Sequence, residues 1–109
     1  TALEIEDALM VAICQEIGPY AAERKTLFLL EPLNRYEQHY LRRQKDGVRI
    51  IEKAKVAGIG LISDLFHMHI EETSTPGAIR EVGPYINHVH LADNTRQEPG
   101  TGDIDFDAA

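Results

Sequence analysis

Three residues able to bind a metal ion stand at the ends of three short apolar stretches. Glu31 and Asp64 come directly after two of these stretches, and His90 lies near the end of the third. Such stretches are typical of strands in a parallel sheet, and we predict strands over 26–31, 59–64 and 86–91. Two carboxylates and an imidazole are suitable ligands for a hard or borderline divalent cation. The spacing therefore predicts that Glu31, Asp64 and His90 meet around one metal ion.

Further polar residues follow each predicted strand end by one short loop. Glu37, His67 and Arg96 lie six, three and six residues after the three predicted ligands. Each is close enough to reach back over a metal site. Taken singly, every one of these residues also has an ordinary structural interpretation, as a solvated loop residue, a helix cap or a buried histidine. The joint occurrence of Glu31, Asp64 and His90 at the regular spacing of strand ends favours an active site.

Helical patterns separate the predicted strands. An amphipathic helix is predicted over 3–17, where Gly18-Pro19 interrupts it, and Pro19 can open one further turn through residue 24. A second helix is predicted over 39–57, with Gly58 as its C-terminal cap. Both helices carry apolar residues on one face, as expected for helices that cover a sheet.

A third, short helix is predicted to begin with Thr75 as its N-cap and Pro76 in its first turn, and to end at Gly83-Pro84. The element order is then α, β, α, β, α, β and a loop, which requires parallel strands with right-handed crossovers. The strand ends are 33 and 26 residues apart, close to the ~31 residues per unit of a (β/α)₈ barrel. A doubly wound sheet has similar spacing between its strands, so this spacing does not exclude it as an alternative fold.

Composition excludes several other classes of protein. The chain has 109 residues with 11 basic and 18 acidic side chains, a net charge of −7, which argues against a general nucleic-acid binder. No apolar run approaches the ~20 residues of a membrane span, and the single cysteine excludes an internal disulfide. We expect one domain over 1–109, located in the cytoplasm and truncated at both ends relative to a larger protein.

Three strings resemble a known family: EPLNRYE at 31–37, DLFHMHIEE at 64–72 and HVHLADNTRQEPGTGDIDF at 88–106. In this order and spacing they resemble the xylose isomerase-like TIM-barrel superfamily. Within it, they are most similar to the sugar isomerase and epimerase branch, which includes ketose 3-epimerases and hydroxypyruvate isomerases. The resemblance implies an α/β fold, a (β/α)₈ TIM barrel, of which this chain is about the second half.

The resemblance also implies roles for individual residues. Glu31, Asp64 and His90 would bind a divalent cation, commonly Mn²⁺, with Mg²⁺, Co²⁺ and Zn²⁺ as alternatives, and Glu31 would also act as acid and base. His67 and Arg96 would hold the substrate oxygens, and Glu37 would lie beside the substrate. A fourth ligand of the family, a glutamate, is expected beyond Ala109.

The implied activity is a sugar or sugar phosphate isomerase or epimerase that transfers a proton through an enediolate. Its partner is a small-molecule sugar, with no nucleic acid or membrane, and homo-oligomerisation is left open. The chain differs from the common DTFHMNIEE string at Leu65 and His69, so the identity of the sugar is open.

Two alternatives remain. One is an endonuclease IV-like zinc phosphodiesterase, against which the acidic charge and Asp105, at a position where a histidine ligand is expected, both count. The other is a non-catalytic fragment or binding module. Because one carboxylate and several strands would be missing, we expect the 109-residue chain alone to be inactive.

Overall fold

A computed structural model describes residues 1–109 as helices packed against a small parallel sheet. The elements, in chain order, are α1 (Ala2–Glu23), β1 (Phe28–Leu30), α2 (Gln44–Ala54), β2 (Ile59–Asp64), α3 (Leu65–Glu71), α4 (Thr75–Val82), a 3₁₀ turn (Gly83–Tyr85) and β3 (Ile86–His90). None of the helices is long and apolar enough to cross a membrane.

The sheet has the predicted parallel arrangement, in the order β1-β2-β3. The central strand β2 pairs with β1 on one side and with β3 on the other. In β1, Leu30 is buried, and Phe28 and Leu29 are partly buried. The predicted parallel strands are confirmed, and their carboxyl ends lie at one edge of the sheet.

A β-bulge sets the register between β2 and β3. Leu61 pairs with Ile86, but Ile62 pairs with His88, so Asn87 is an extra residue on β3. The side chain of Asn87 lies against Gly60, where a Cβ atom would stand only 1.9 Å from the Asn87 Oδ1. Bulges of this kind reorient the residues that follow them. Beyond the bulge, the register brings His90 directly opposite Asp64.

The first helix is longer than predicted, because α1 continues through Pro19 to Glu23. Proline in a helix removes one backbone hydrogen bond, which tertiary packing can offset. Here Cys14, Gly18 and Ala21 are buried along one face. A Cβ atom on Gly18 would approach the carbonyl oxygen of Ala57 to 2.6 Å, so glycine permits this close packing. The predicted interruption at Gly18-Pro19 is therefore wrong.

The second helix is shorter than predicted and ends by a different device. It spans Gln44–Ala54, and Lys55 ends it in the left-handed conformation with φ of 53°. Gly58 is not the cap, although its φ is also positive at 84°. A Cβ atom there would collide with the carbonyl oxygen of Gly18, at 1.9 Å. Gly58 thus allows the chain to pass close to the backbone of α1. This is a long-range contact that the local sequence does not reveal.

The segment after β2 forms a helix that the sequence pattern did not predict. Asp64 ends β2 and also caps α3, since its side chain accepts a hydrogen bond from the backbone N–H of Phe66. The following helix α4 agrees with the predicted short helix, but its N-cap is Ser74 and not Thr75. The Ser74 hydroxyl accepts from the backbone N–H of Gly77, a normal N-cap contact.

The core lies between the helices and one face of the sheet. Its buried members are Cys14, Leu30, Leu41, Ile50, Ala54, Leu61 and Val82. They come from α1, α2, α4, two strands and the loop before α2, so burial of this cluster holds all of these elements together.

A buried carboxylate joins α1 to α2 outside this core. Asp7 accepts two hydrogen bonds from the Arg49 guanidinium, at 3.1 Å each, and one from Lys53 Nζ at 2.6 Å. The Tyr40 hydroxyl donates a further bond to it at 2.7 Å. The Arg49 hydrogen bonds are the main reason that the pKa of the Asp7 carboxyl lies well below its usual range.

We predict that Asp7→Asn lowers the free energy of unfolding near neutral pH by about 2 kcal/mol, because a buried charged hydrogen-bond partner is lost. A lowered folded-state pKa stabilises above the unfolded value of ~4, and that contribution is lost as the pH falls below it. Urea unfolding over a pH series should therefore show the difference from wild type shrinking below about pH 4. Glu16→Gln, at an exposed position of the same helix, is the control; an equal effect from it would contradict the assignment.

Candidate active site

The three residues that end the strands meet at the carboxyl edge of the sheet. The Glu31 Oε1 and the Asp64 Oδ2 each lie 3.4 Å from His90 Nδ1. Sheet geometry produces this meeting, because Glu31 directly follows β1 and the other two close β2 and β3. The structure thus brings together the three residues that the sequence proposed as metal ligands.

Asp64 is at the centre of the cluster. Its side chain has no exposure to solvent, whereas Glu31 is 28% exposed and His90 43% exposed. Its Oδ2 accepts a hydrogen bond from Arg96 Nη1 at 2.6 Å, which neutralises the buried charge. The guanidinium of Arg96 is half exposed and lies over the Phe66 ring, 4.5 Å from its centroid. Arg96 therefore has donors left for a ligand that enters from solvent.

Two histidines flank the carboxylates, and both are candidates for the imidazole ligand. The ligand-type atoms of Glu31, Asp64 and His67 all lie within 4.8 Å of one another. His90 lies 3.4 Å from both carboxylates, whereas His67 Nε2 lies 3.8 Å from the Asp64 Oδ2. With either histidine, the donor set of two carboxylates and one imidazole fits a divalent cation such as Mn²⁺, Mg²⁺, Co²⁺ or Zn²⁺.

The loop after β1 brings Glu37 next to His67. The Glu37 Oε2 lies 3.4 Å from His67 Nδ1 and accepts a hydrogen bond from Asn34 Nδ2 at 2.6 Å. Glu37 is 52% exposed, while the His67 side chain is 2% exposed. The arrangement places an accessible carboxylate and a buried imidazole side by side, next to the proposed metal ligands.

An ion pair that the sequence analysis did not single out holds this loop onto α3. The buried carboxylate of Glu71 accepts from Arg35 Nε at 3.0 Å and Nη2 at 3.2 Å, and from the Arg35 backbone N–H at 2.5 Å. The side-chain hydrogen bonds of Arg35 are the largest cause of the lowered pKa of Glu71. Both residues occur within the quoted strings, but their pairing spans 36 residues of sequence. Only the fold reveals it.

A second buried acid, also missed, organises the loop that carries Arg96. Asp93 has no solvent exposure, and its carboxylate accepts from the backbone N–H groups of Asn94, Gly100 and Ile104. Burial raises the pKa of Asp93, but these backbone hydrogen bonds lower it by more, so the net direction is downward. The contacts hold a loop in which Arg96 takes a left-handed φ of 62°. A string of loop glycines after an acid is the local signal that could have suggested this role.

Comparison with known proteins supports the same architecture. The family model for the xylose isomerase-like TIM barrel matches residues 4–109. The chain is 40% identical over 88 residues to 3-dehydro-D-guloside 4-epimerase of Escherichia coli, covering 81% of this chain and 34% of that protein. It is 39% identical over 90 residues to D-psicose 3-epimerase of Ruminiclostridium cellulolyticum, covering 83% and 31%.

A solved structure agrees along nearly the whole chain. The apo form of 3-keto-D-glucoside 4-epimerase from E. coli superimposes with a TM-score of 0.93 at 33% identity, covering 99% of this chain and 41% of that one. The chain spans about a third of the length of the curated relatives it matches. The predicted α/β fold is thereby confirmed: the chain belongs to the xylose isomerase-like TIM barrel family.

Proposed function

We propose that the complete protein containing this chain is a divalent-metal-dependent sugar epimerase that moves a proton at a carbon next to a ketone. The observation that carries the proposal is the meeting of Glu31 and Asp64 around His90, whose Nδ1 lies 3.4 Å from each carboxylate. The names of the relatives support the reaction type. One inverts position 4 of a 3-keto sugar and the other position 3 of psicose, a 2-ketose, so both act beside a carbonyl group.

A proton beside a carbonyl is too weakly acidic for an unaided carboxylate to remove, so the negative charge that develops on the carbonyl oxygen must be stabilised, which a divalent cation can do. A divalent cation, for which we propose Mn²⁺, supplies Lewis-acid polarisation of the ketone when it is bound by Glu31, Asp64 and His90. Glu31 is the candidate base. Of the two proposed carboxylate ligands, it is the one that is partly exposed and can approach a sugar carbon.

The surrounding polar groups would bind and orient the sugar. Arg96 offers guanidinium donors to hydroxyl groups, and Glu37 offers an accessible carboxylate as acceptor. His67 supplies a buried imidazole between Glu37 and the proposed ligand Asp64. Holding the substrate in one pose lowers the entropic cost of proton transfer. Inversion also needs a second acid on the opposite face of the sugar, for which the family resemblance implies a glutamate beyond Ala109.

Neither alternative has a specific observation in its favour. In the zinc phosphodiesterase interpretation, a histidine ligand is expected at position 105, where this chain has Asp105. A non-catalytic module would not need accessible polar groups around the buried carboxylate of Asp64. The cytoplasmic location and the choice of Mn²⁺ remain predictions, and the oligomeric state is left open.

The proposal is tested by assaying the complete protein with Mn²⁺ against a panel of ketoses and 3-keto sugars, with the isolated 109-residue chain in parallel. We expect the complete protein to epimerise at least one of them, and the isolated chain to be inactive because it offers one candidate acid–base carboxylate. No turnover of any sugar by metal-loaded, folded complete protein would contradict the function. Turnover by the isolated chain within tenfold of the complete protein would contradict the need for the remaining strands.

In the complete protein, Glu31→Gln should abolish turnover while only weakening Mn²⁺ binding. The amide oxygen can still coordinate a cation, but it cannot accept a proton. Turnover and Mn²⁺ titration calorimetry measure the two effects separately. Glu81→Gln, at an exposed position of α4, is the matched control. Near-normal turnover in Glu31→Gln would show that Glu31 is not the base.

Asp93→Asn should raise KM in the same direction as Arg96→Ala, by about tenfold if one charged hydrogen bond to substrate is lost. The neutral amide fits the surrounding backbone N–H donors less well, so the loop holds Arg96 less firmly. Steady-state kinetics of both variants and of the double variant provide the measurement.

The double variant should be little worse than Arg96→Ala alone, since both changes act through Arg96. Asp103→Asn, at an exposed position of the same loop, is the control. Fully additive effects would contradict this role of Asp93.

A further inference from the structure

We propose that Asn34 is a positioning residue that holds His67 in the neutral tautomer with its proton on Nε2, and that this tautomer is what suits His67 to the sugar contact, and His90 to the metal, that the family resemblance implies. The tautomer follows from contacts within the chain. The sugar contact rests on the proposed function.

The first argument is a hydrogen bond whose direction is fixed. The backbone N–H of Asn34 donates to His67 Nδ1 at 3.1 Å. A backbone N–H can only donate, so this contact favours the form in which Nδ1 presents its lone pair and carries no proton. Neutral imidazole has one protonated nitrogen. The proton of neutral His67 is therefore on Nε2.

The side chain of Asn34 reinforces the same tautomer. Its Oδ1 accepts from the backbone N–H of Tyr36 at 2.9 Å, which fixes the orientation of the amide. The NH₂ group then faces His67 Nδ1 at 2.8 Å and the Glu37 Oε2 at 2.6 Å. Asn34 thus donates a hydrogen bond to the Glu37 carboxylate. Without that donor, the carboxylate, 3.4 Å from His67 Nδ1, would favour a proton on Nδ1.

The consequence appears at the other ring nitrogen. His67 Nε2 lies 3.8 Å from the Asp64 Oδ2, too far for a hydrogen bond to that carboxylate. A protonated nitrogen has no lone pair for a cation, so His67 is unsuited as a ligand despite its place near Glu31 and Asp64. The imidazole ligand is then His90, and the Nε2–H of His67 is a donor for a carbonyl or hydroxyl oxygen. Asn34 is a positioning residue, because it acts through His67.

Long-range ¹H–¹⁵N NMR of the complete protein, labelled at histidine and free of sugar, tests the tautomer. At about pH 8.5, where free histidines are neutral, His67 should show an unprotonated Nδ1 and a protonated Nε2. His67→Gln assigns the signals by removing them. On addition of Zn²⁺, a diamagnetic probe, His67 should keep its Nε2–H, while His90 gives the signal of a metal-bound nitrogen.

Substitutions at Asn34 test its side chain. Asn34→Asp replaces the NH₂ donor with a carboxylate, so Nδ1 should become protonated and its ¹⁵N signal should move to the protonated range. Asn34→Ala, which keeps the backbone donor, should show an increased population of the Nδ1–H form and serves if the aspartate variant fails to fold. Asn94→Asp makes the same change in charge away from His67 and should leave its signals unchanged.

A protonated Nδ1 in the wild-type protein would overturn the proposal, as would a zinc-bound signal from His67 Nε2. Unchanged His67 signals in both Asn34 variants would overturn the role of the side chain. All of these readouts are obtained without turnover, so they are independent of the assay that tests the proposed epimerase.

Discussion

The site depends on one constraint, which is that the carboxylate of Asp64 is fully buried at the end of the central strand. A buried charge is tolerated only when hydrogen-bond donors or cations surround it. Here the Phe66 backbone N–H and the Arg96 guanidinium meet that need directly, and His90 lies close by. Because these partners come from α3, from the loop after β3 and from β3 itself, satisfying Asp64 fixes the relative positions of three elements.

The loops around this carboxylate are tied down by further buried polar groups. Glu71 of α3 binds the loop after β1 through Arg35, and Asp93 binds the turns of its own loop through backbone N–H groups. The exposed acceptor Glu37 and the exposed donor Arg96 therefore lie on loops whose conformations are held by internal hydrogen bonds. Such preorganisation is what selective binding of a flexible polyol requires.

Much of this arrangement could be predicted from local sequence, because the strands are short apolar runs and the metal-binding residue types end them. The EPLNRYE and DLFHMHIEE strings also indicated His67 and Glu37 as parts of the site. What local pattern could not give were contacts between distant segments. The continuation of α1 through Pro19 depends on packing against Ala57, and the Arg35–Glu71 pair spans 36 residues.

The helix α3 was missed for a related reason. Its seven residues are too few for a clear periodic pattern, and its N-cap is Asp64, a residue already interpreted as a ligand. One carboxylate thus serves both the fold and the candidate site. The same limitation hid Asn34, whose contact with His67 spans 33 residues and joins the segments that follow the paired strands β1 and β2.

Solvent-exchange labelling tests the central claim most directly, because proton transfer next to a ketone must exchange that hydrogen with water whenever the base releases it. The complete protein would be incubated in D₂O with a 2-ketose or 3-keto sugar that it epimerises, with and without Mn²⁺, and the sugars examined by NMR. The account predicts deuterium at the inverted carbon only, and only with the metal present. Epimerised sugar that retains its original hydrogen throughout, or equal labelling without any divalent cation, would contradict it.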